Sequence, residues 1–585
     1  MCGIFAYLGE KTNAGELILQ GLTSLEYRGY DSWGVAIKKE NSKLHVEKHP
    51  GKIGEATFPP FTASSGIGHT RWATHGGVTA ANAHPHVSCN DEVVLVHNGI
   101  VENFEELKQN LQKAGHHFKS ETDSEVIAHL LEEEMKNETD LKEVVLRVFR
   151  MLTGMSAIIV FFPGTNQFFA IKNGSPLVYS GTQSEQILAS DAVALIPYTN
   201  NVFFLPDYEL LEMNPHGARL YDETGTEKSL KTVTLEIDKS QVEKGAFAHF
   251  MIKEIHEQAA IVKQLTKKTD QIQNLATAIQ KSNRFYFVGC GSAYYAALCG
   301  EYLFSKIAKI HANSSFGSEF SYHLDFIDNT STVMAVSQSG ETIDIISGLQ
   351  KAREKGAHIM ALVNVLGSTL YRTADSSFLL GAGPEKAVCS TKAFVAQITA
   401  IFLLAHTMAH TVDKGTKDLF NAAREITSIL EREKSIQELA EKIVKSKNIF
   451  VLGRGISYPG ALESALKIKE VCYIHAEGFA GGELKHGVIA LIEKGTPVII
   501  YNPEDETYED SLSSAYEVKA RGAYVIGISS KPNPVFDAYI EVKNCGEATI
   551  IPNVVIAQLL GYYLALAKNL DPDKPRNLAK SVTVK

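Results

Sequence analysis

Two different patterns of apolar and polar positions divide the chain. Up to about residue 230, apolar residues come mostly in short runs bounded by turn residues. This predicts strands at 34–37, 92–96, 157–162, 167–171 and 202–205. Two stretches, 15–25 and 123–134, instead repeat apolar residues at helical spacing. Runs of strands with few helices between them point to packed sheets of α+β type rather than a parallel βαβ array.

Beyond Leu235 the pattern changes. The segment 250–265 is polar and amphipathic and reads as a connecting helix. From there short apolar strands alternate with helices, at 285–288, 332–336, 359–363 and 377–380, then again at 449–452, 498–501, 525–528 and 539–542. Each set reads as an α/β unit on a parallel sheet. The two sets look duplicated. Phe287-Val-Gly-Cys-Gly-Ser-Ala-Tyr294 aligns with Val451-Leu-Gly-Arg-Gly-Ile-Ser-Tyr458, and Gly356-Ala-His-Ile-Met-Ala-Leu362 aligns with Gly522-Ala-Tyr-Val-Ile-Gly-Ile528. A linker between the halves is expected near 412–436. The most apolar stretches, 394–409 and 548–567, contain Gln397, Thr399, His406, Pro552, Asn553 and Gln558. They read as core helices, not membrane spans.

Composition narrows the function classes. The 585 residues are 44% hydrophobic and 21% charged, which excludes a disordered, collagenous or coiled-coil chain. The net charge of −10 argues against a nucleic-acid surface. The seven cysteines are widely spaced without a CxxC pair, and no signal peptide is read, so a reducing, cytoplasmic setting is expected.

Several loops carry candidate chemistry. Gly289-Cys-Gly-Ser-Ala-Tyr294 is a strand–turn–helix glycine loop that lacks the third glycine of a dinucleotide fingerprint. Ser337-Gln-Ser-Gly-Glu-Thr342 offers three hydroxyls before a helix, a cradle for phosphate, and Cys389-Ser-Thr-Lys392 adds a second hydroxyl cluster. The corresponding loop of the repeat, Asn502-Pro-Glu-Asp-Glu506, would repel phosphate. Glu463, Lys467 and Glu470 share a helix face, a pattern open to a solvated ion-pair reading or to a pocket wall. The polar C-terminal tail contains Leu578, Val582 and Val584, which suggests docking rather than fraying.

At the other end, Cys2 has both a thiol and, once Met1 is removed, a free α-amine that can act as its base. Tyr27-Arg-Gly-Tyr-Asp31, Gly68-His-Thr-Arg-Trp-Ala-Thr-His75, Asn82-Ala-His-Pro-His86 and Val96-His-Asn-Gly-Ile100 are dense in polar residues. The histidines 69, 75, 84, 86 and 97 lack carboxylate or thiolate partners at ligand spacing, so no metal is expected.

Met1-Cys-Gly-Ile-Phe5, Tyr27–Asp31, Arg71-Trp-Ala-Thr-His75, Val96-His-Asn-Gly99 and Ser120-Glu-Thr-Asp123 resemble the N-terminal-nucleophile glutaminase domain. Gly291, Ser337–Thr342, Ser390-Thr-Lys-Ala-Phe394, Glu483-Leu-Lys-His-Gly487 and Pro575-Arg-Asn-Leu-Ala-Lys-Ser-Val-Thr583 resemble tandem sugar-isomerase (SIS) domains. Over the whole chain the pattern is similar to the glutamine–fructose-6-phosphate aminotransferase family. The resemblance implies an αββα glutaminase at 2–230, a linker at 231–265, α/β SIS domains with parallel sheets at 266–415 and 436–575, and a catalytic tail at 576–585. It implies Cys2 as nucleophile and Asn98 with the Gly99 N–H as oxyanion hole. Arg28, Arg71, Trp72, Thr74, His75, His84 and Asp123 match glutamine-pocket positions. Gly291, Ser292, Ser337, Gln338, Ser339, Thr342, Ser390 and Lys467 match sugar-phosphate positions. Lys580 would form a Schiff base, Glu470 would move a proton, and His486 would assist ring opening from a partner subunit. Glutamine and fructose 6-phosphate are the implied substrates of a homodimer without cofactor, nucleic acid or membrane. A related amidotransferase or deglycase for another sugar phosphate, and a sugar-phosphate-binding regulator, are the alternatives. Ala293, Ser292, Trp33 and a short 53–65 stretch depart from the family pattern.

Overall fold

The computed structural model describes residues 2–40, 43–182 and 184–582. It separates into two compact units, Met1–Glu243 with Ala579–Lys585, and Lys244–Leu578.

In the first unit, alternation along strands builds two antiparallel sheets, of eight and seven strands among the described residues. Gly3–Gly9 lies between Glu185–Ala189 and Ser65–Arg71, and the latter pairs onward with Ser32–Lys38. In the second sheet Val94–Gly99 pairs with Ser156–Phe162. Ile4, Ala6 and Leu8 from the first sheet meet Val94, Val96, Ala157 and Ile159 from the second in one apolar layer. Helix Ala14–Leu25 covers the outer face of the first sheet, burying Ile18 and Leu22. Helices Glu125–Glu134 and Leu141–Met151 cover the second, around Val126, Val144 and Val148. The result is the expected αββα order of layers. Trp33 is buried and stacks on His49 with ring centroids 4.4 Å apart, which accommodates the larger side chain.

The second unit holds two five-stranded, fully parallel sheets. The first runs Asn313–Phe316, Arg284–Gly289, Ser331–Ser337, His358–Val363, Ser376–Leu379. The second runs His475–Ala480, Asn448–Gly453, Pro497–Asn502, Tyr524–Ser529, Ala538–Glu541. Counted along each half, both have the order 2-1-3-4-5 of a doubly wound sheet. Helices Lys392–Met408 and Ile550–Ala567 are almost wholly buried between these layers. The stretch Gly546–Ala567 is long and apolar enough to cross a membrane by length and composition, and it is spent here on the core. Its polar Gln558 is paired: Gln258 Nε2 donates to Gln558 Oε1 at 2.5 Å.

Three expectations are revised. Each sheet has a fifth strand, Asn313–Phe316 or His475–Ala480, whose short and partly polar edge lacks an apolar run. The stretch 412–436 is not a loose linker. It holds helix Val412–Glu431, which buries Leu419, Ala422, Ile426 and Ile429, and it enters helix Glu433–Ile443. Phe250–Leu265, read as a connecting helix, is a helix over those same residues, but it buries Met251, Ile255, Val262 and Leu265 in the core of the second unit.

Candidate active sites

Three strand ends converge at Cys2. Gly3 stands opposite Thr70, which brings the residue before Gly3 beside the end of Ser65–Arg71. The Trp72 amide N–H donates to Cys2 Sγ at 3.2 Å. Asn98 Nδ2 donates to the Cys2 carbonyl at 3.0 Å, and Arg28 Nε donates to it at 3.1 Å. Arg28 is anchored from behind by Asp191 at 3.0 Å, which also accepts from Tyr27 at 2.7 Å. Gly99 has φ +142°, and a Cβ there would sit 2.0 Å from the Met155 carbonyl, so only glycine fits this strand end.

Arg71 is buried, and burial pulls its guanidinium below its ordinary range while Cys2, Asp31 and Asp123 pull it back. Its Nη1 donates to Gly77 O at 3.1 Å, and its Nη2 donates to His75 O and Gly76 O. Asp123 is buried and accepts from the Val101 amide at 2.7 Å. Trp72 and His75 are half-buried, and Thr74 is exposed on the same loop. His84 is buried, with its ring 4.2 Å from that of His69. Among the described residues neither of its ring nitrogens finds a partner, and burial holds it neutral.

His69 is a contributor the sequence reading left without a role. Burial pushes it down to about 3, so it is neutral. Its Nε2–H then donates to Asn98 Oδ1 and to His97 O, both at 3.1 Å. An amide whose oxygen is fixed this way must turn its NH2 toward Cys2. The signal was the alternation of polar residues inside a buried strand, but only the paired sheet shows what His69 faces.

In the second unit, the helix N-termini after the first and third strands of the first sheet lie at its topological switch point, where open α/β sheets bind ligands. Gly291, with φ +55°, caps helix Ser292–Leu303. Ser337 ends its strand and accepts from the Gly340 N–H at 3.0 Å, and Ser339 accepts from the Glu341 N–H at 3.2 Å. Gly340 has φ +67°, and a Cβ would strike Ser368 Oγ at 2.1 Å. Gln338 accepts from the Asn364 N–H at 3.1 Å through its carbonyl, and Thr342 caps helix Ile343–Glu354. Ala293 is half-buried against the apolar core.

Lys467 ties the two halves of this unit together. It is fully buried, and its Nζ lies 3.0 Å from Ser292 Oγ, 3.1 Å from Ser390 O, 2.9 Å from Glu470 Oε2 and 3.3 Å from Glu463 Oε1. The helix Ser457–Cys472 that carries it therefore presents a buried ionic cluster and not a solvated face. Burial works against its charge, but Cys389, Glu463 and Glu470 hold the ammonium well above the usual range. Burial pushes the Glu463 carboxyl up to about 7, against the pull of Lys467.

The comparisons with known proteins fit these two units. The SIS domain model matches residues 278–407 and 442–540, and the glutamine amidotransferase domain model matches 69–197. The chain is 41% identical over 606 residues to glutamine–fructose-6-phosphate aminotransferase (isomerizing) of Thermococcus kodakarensis, covering all of both chains. It is 40% identical over 595 residues to the Aquifex aeolicus protein of the same name, again over all of both. The chain belongs to the glutamine–fructose-6-phosphate aminotransferase (isomerizing) family. Its second unit is also similar to a solved C-terminal domain of glucosamine-fructose-6-phosphate aminotransferase from Francisella tularensis, at TM-score 0.53 and 32% identity, covering 57% of this chain and 99% of that one.

Within this family member, two further expected site residues lie on other segments. His486 ends the 3-10 segment Gly481–His486 and is exposed. Lys580 is half-buried in the segment that groups with the first unit, and Thr583–Lys585 lie outside the described residues.

Proposed function

We propose that the protein transfers the amide nitrogen of L-glutamine to D-fructose 6-phosphate, giving D-glucosamine 6-phosphate and L-glutamate, the first step toward nucleotide-linked amino sugars. Cys2 Sγ, deprotonated by the α-amine of the processed chain, attacks the glutamine amide carbonyl. Asn98 Nδ2 and the Gly99 N–H receive the oxyanion. Ammonia leaves, and water hydrolyses the thioester to glutamate. Arg71 binds the α-carboxylate and Asp123 the α-ammonium, with Arg28, Trp72, Thr74, His75 and His84 completing the pocket. Because the carbonyls of residues 75–77 occupy both terminal nitrogens of Arg71, glutamine binding exchanges them for carboxylate oxygens.

At the second site Ser337, Gln338, Ser339, Thr342 and the Gly291–Ser292 turn hold the sugar phosphate through neutral donors. His486 of the partner subunit in a homodimer assists ring opening, and Lys580 forms a Schiff base with the open-chain ketone. Ammonia displaces the lysine, and Glu470 moves the proton from C1 to C2 of the adduct, with Lys467 and Ser390 beside it. The scheme uses side chains and the two substrates alone. Seven cysteines free of disulfides support a reducing, cytoplasmic setting.

The observation that carries this reading is the seating of Cys2, with Sγ under the Trp72 amide and the Asn98 amide at its carbonyl. The protein incubated with glutamine and fructose 6-phosphate should yield glucosamine 6-phosphate and glutamate, and a mixture without amino sugar overturns the reading. Cys2→Ala should abolish glutamine-dependent synthesis while sparing fructose 6-phosphate binding. Retained synthesis would show that Cys2 is not the nucleophile.

A further inference from the structure

A second group of nucleophilic and ligating side chains lies in the first unit, away from the strand ends that hold Cys2. Cys89 sits on the turn between strands His86–Val87 and Val94–Gly99. His116 follows helix Phe104–Lys113, and His129 and Glu132 stand three residues apart on helix Glu125–Glu134. One ligand atom from each comes within 4.8 Å of the others. Cys89 Sγ lies 3.6 Å from His129 Nδ1 and 3.8 Å from His116 Nδ1. Glu132 Oε2 lies 3.2 Å from His116 Nδ1 and 3.9 Å from His129 Nδ1. A tetrahedral Zn2+, with bonds of about 2.3 Å to sulfur and about 2.0–2.2 Å to nitrogen and oxygen, spaces its ligands by roughly 3.3–3.6 Å. The four edges match that shape to a few tenths of an ångström.

The far side of each imidazole gives independent support. His116 Nε2 is 2.8 Å from Glu133 Oε2, and His129 Nε2 is 3.5 Å from Glu125 Oε1. The carboxylate behind His116 holds its proton on Nε2 and turns its Nδ1 lone pair into the cluster, as at zinc sites where a carboxylate backs a ligating histidine, and Glu125 stands at ion-pair distance behind His129. The remaining ligands are also held. Cys89 Sγ accepts from the His117 N–H at 3.4 Å, and Glu132 accepts from the Cys89 and Asn90 N–H groups at 3.1 and 2.7 Å. His116, His129 and Glu132 are buried.

We propose that Cys89, His116, His129 and Glu132 bind one divalent transition-metal ion, with Zn2+ the best match, in a four-coordinate structural site whose Cys89 edge is exposed and whose other three ligands are buried. The mixed S, N2, O donor set disfavours Mg2+ and Ca2+. Binding releases the Cys89 thiol proton to solvent, and thiolate plus carboxylate then cancel the ionic charge, so burial is tolerated. The histidines that stand out in the sequence are not its ligands, and residues spread from 89 to 132 form no short motif. The ion fastens the 88–93 turn and the 115–119 segment to helix Glu125–Glu134. Through His129 it also steadies Glu125, whose carboxylate accepts from the Lys119 and Ser120 N–H groups at 2.8 and 2.7 Å in the turn leading to Asp123. The role is structural and stands whatever acceptor sugar the enzyme uses.

The test uses the full chain, purified under reducing conditions without immobilised metal. Elemental analysis should find one zinc per chain. After chelation, Co2+ should restore the visible bands of a tetrahedral site together with a thiolate-to-cobalt charge-transfer band. Cys89→Ser should lose that band, and Glu133→Gln, which leaves all four ligands in place, should weaken Zn2+ binding about 10–100-fold. His117→Gln, an exposed neighbour outside the set, should bind like the parent. Substoichiometric zinc that Zn2+ titration does not raise to one per chain, an octahedral cobalt spectrum, or equal binding by Cys89→Ser overturns the proposal.

Discussion

The two parallel-sheet halves of the second unit share one strand order but end their third strands in opposite chemistry. After Ser331–Ser337 come hydroxyls, glycine and a helix N-terminus. After Pro497–Asn502 come Glu504, Asp505 and Glu506, of which Glu504 pairs with Lys531 and Glu506 with Lys306 at 2.5 and 2.7 Å. The repeat has two switch points, and the first carries neutral donors suited to phosphate while the second carries carboxylates in partly exposed ion pairs. What the second half contributes instead is one helix, Ser457–Cys472, which carries Glu463, Lys467 and Glu470 against Ser292 and Ser390 of the first half. The comparison teaches that two repeats can differ in the chemistry of corresponding loops and still join side chains in one buried cluster.

This contrast can be broken at several places. Lys467→Met should have the largest effect. It strands two carboxylates, a loss of about 3–5 kcal/mol on the scale of broken buried pairs. Synthesis by the folded fraction should also fall by about 10²–10⁴, the usual weight of a group aiding proton transfer. A variant with unchanged melting temperature and turnover would make the cluster incidental. Next, Ser339→Ala and Thr342→Ala should each raise KM for fructose 6-phosphate about tenfold or more, since a hydrogen bond to a charged group is worth about 1.5–3 kcal/mol. Unchanged KM would move the phosphate elsewhere.

A subtler effect is expected at Glu463. Its folded carboxyl titrates near 7, above its ordinary value, because it is buried. The protein therefore holds that proton more tightly than the unfolded chain does. The stability this gives is complete below the ordinary glutamate range and is lost as pH rises through about 7. Glu463→Gln removes this term, so the melting difference between parent and variant should shift in favour of the variant from pH 4.5 to pH 7. A difference that stays flat with pH would mean that Glu463 binds its proton equally in the folded and unfolded chain. The smallest effect belongs to Glu504→Gln with Glu506→Gln. These pairs are partly or largely exposed and worth about 0–1 kcal/mol, so sugar-phosphate KM should change less than about twofold. A larger change would mean that the second switch point takes part in binding.

Much of the fold was legible because burial writes itself into apolar spacing. The strands Ser32–Lys38, Val94–Gly99, Ser156–Phe162, Gln167–Asn173 and Asn201–Phe204 and the alternating second unit follow from short apolar runs and βα patterns. Gly3–Gly9, bounded by glycines, and Ser65–Arg71, rich in glycine and polar residues, were not read as strands. The fifth strands did not show, since Asn313–Phe316 lies at a sheet edge and buries only Ser315. Helix Val412–Glu431 was hidden by charge on its outer face, although Leu419, Ile426 and Ile429 lie inside. At the sites, Cys2 stood out by its place after Met1, and Arg71, Asn98 and Asp123 were named by the family resemblance of their motifs. The partners that aim them, His69 behind Asn98 and Asp191 behind Arg28, were not.

The sequence by itself determined the change from strand-rich to alternating βα pattern and the repeat, because these depend on local spacing and residue type, and its motifs named the family and the candidate reacting groups by resemblance. The tertiary structure alone decided that Lys467 is buried between two carboxylates, that His69 is neutral and orients an amide, and that four residues between 89 and 132 share one ligand geometry. Each of these depends on what long-range packing places within a few ångströms, and on how far it removes water, neither of which is encoded at any fixed sequence separation.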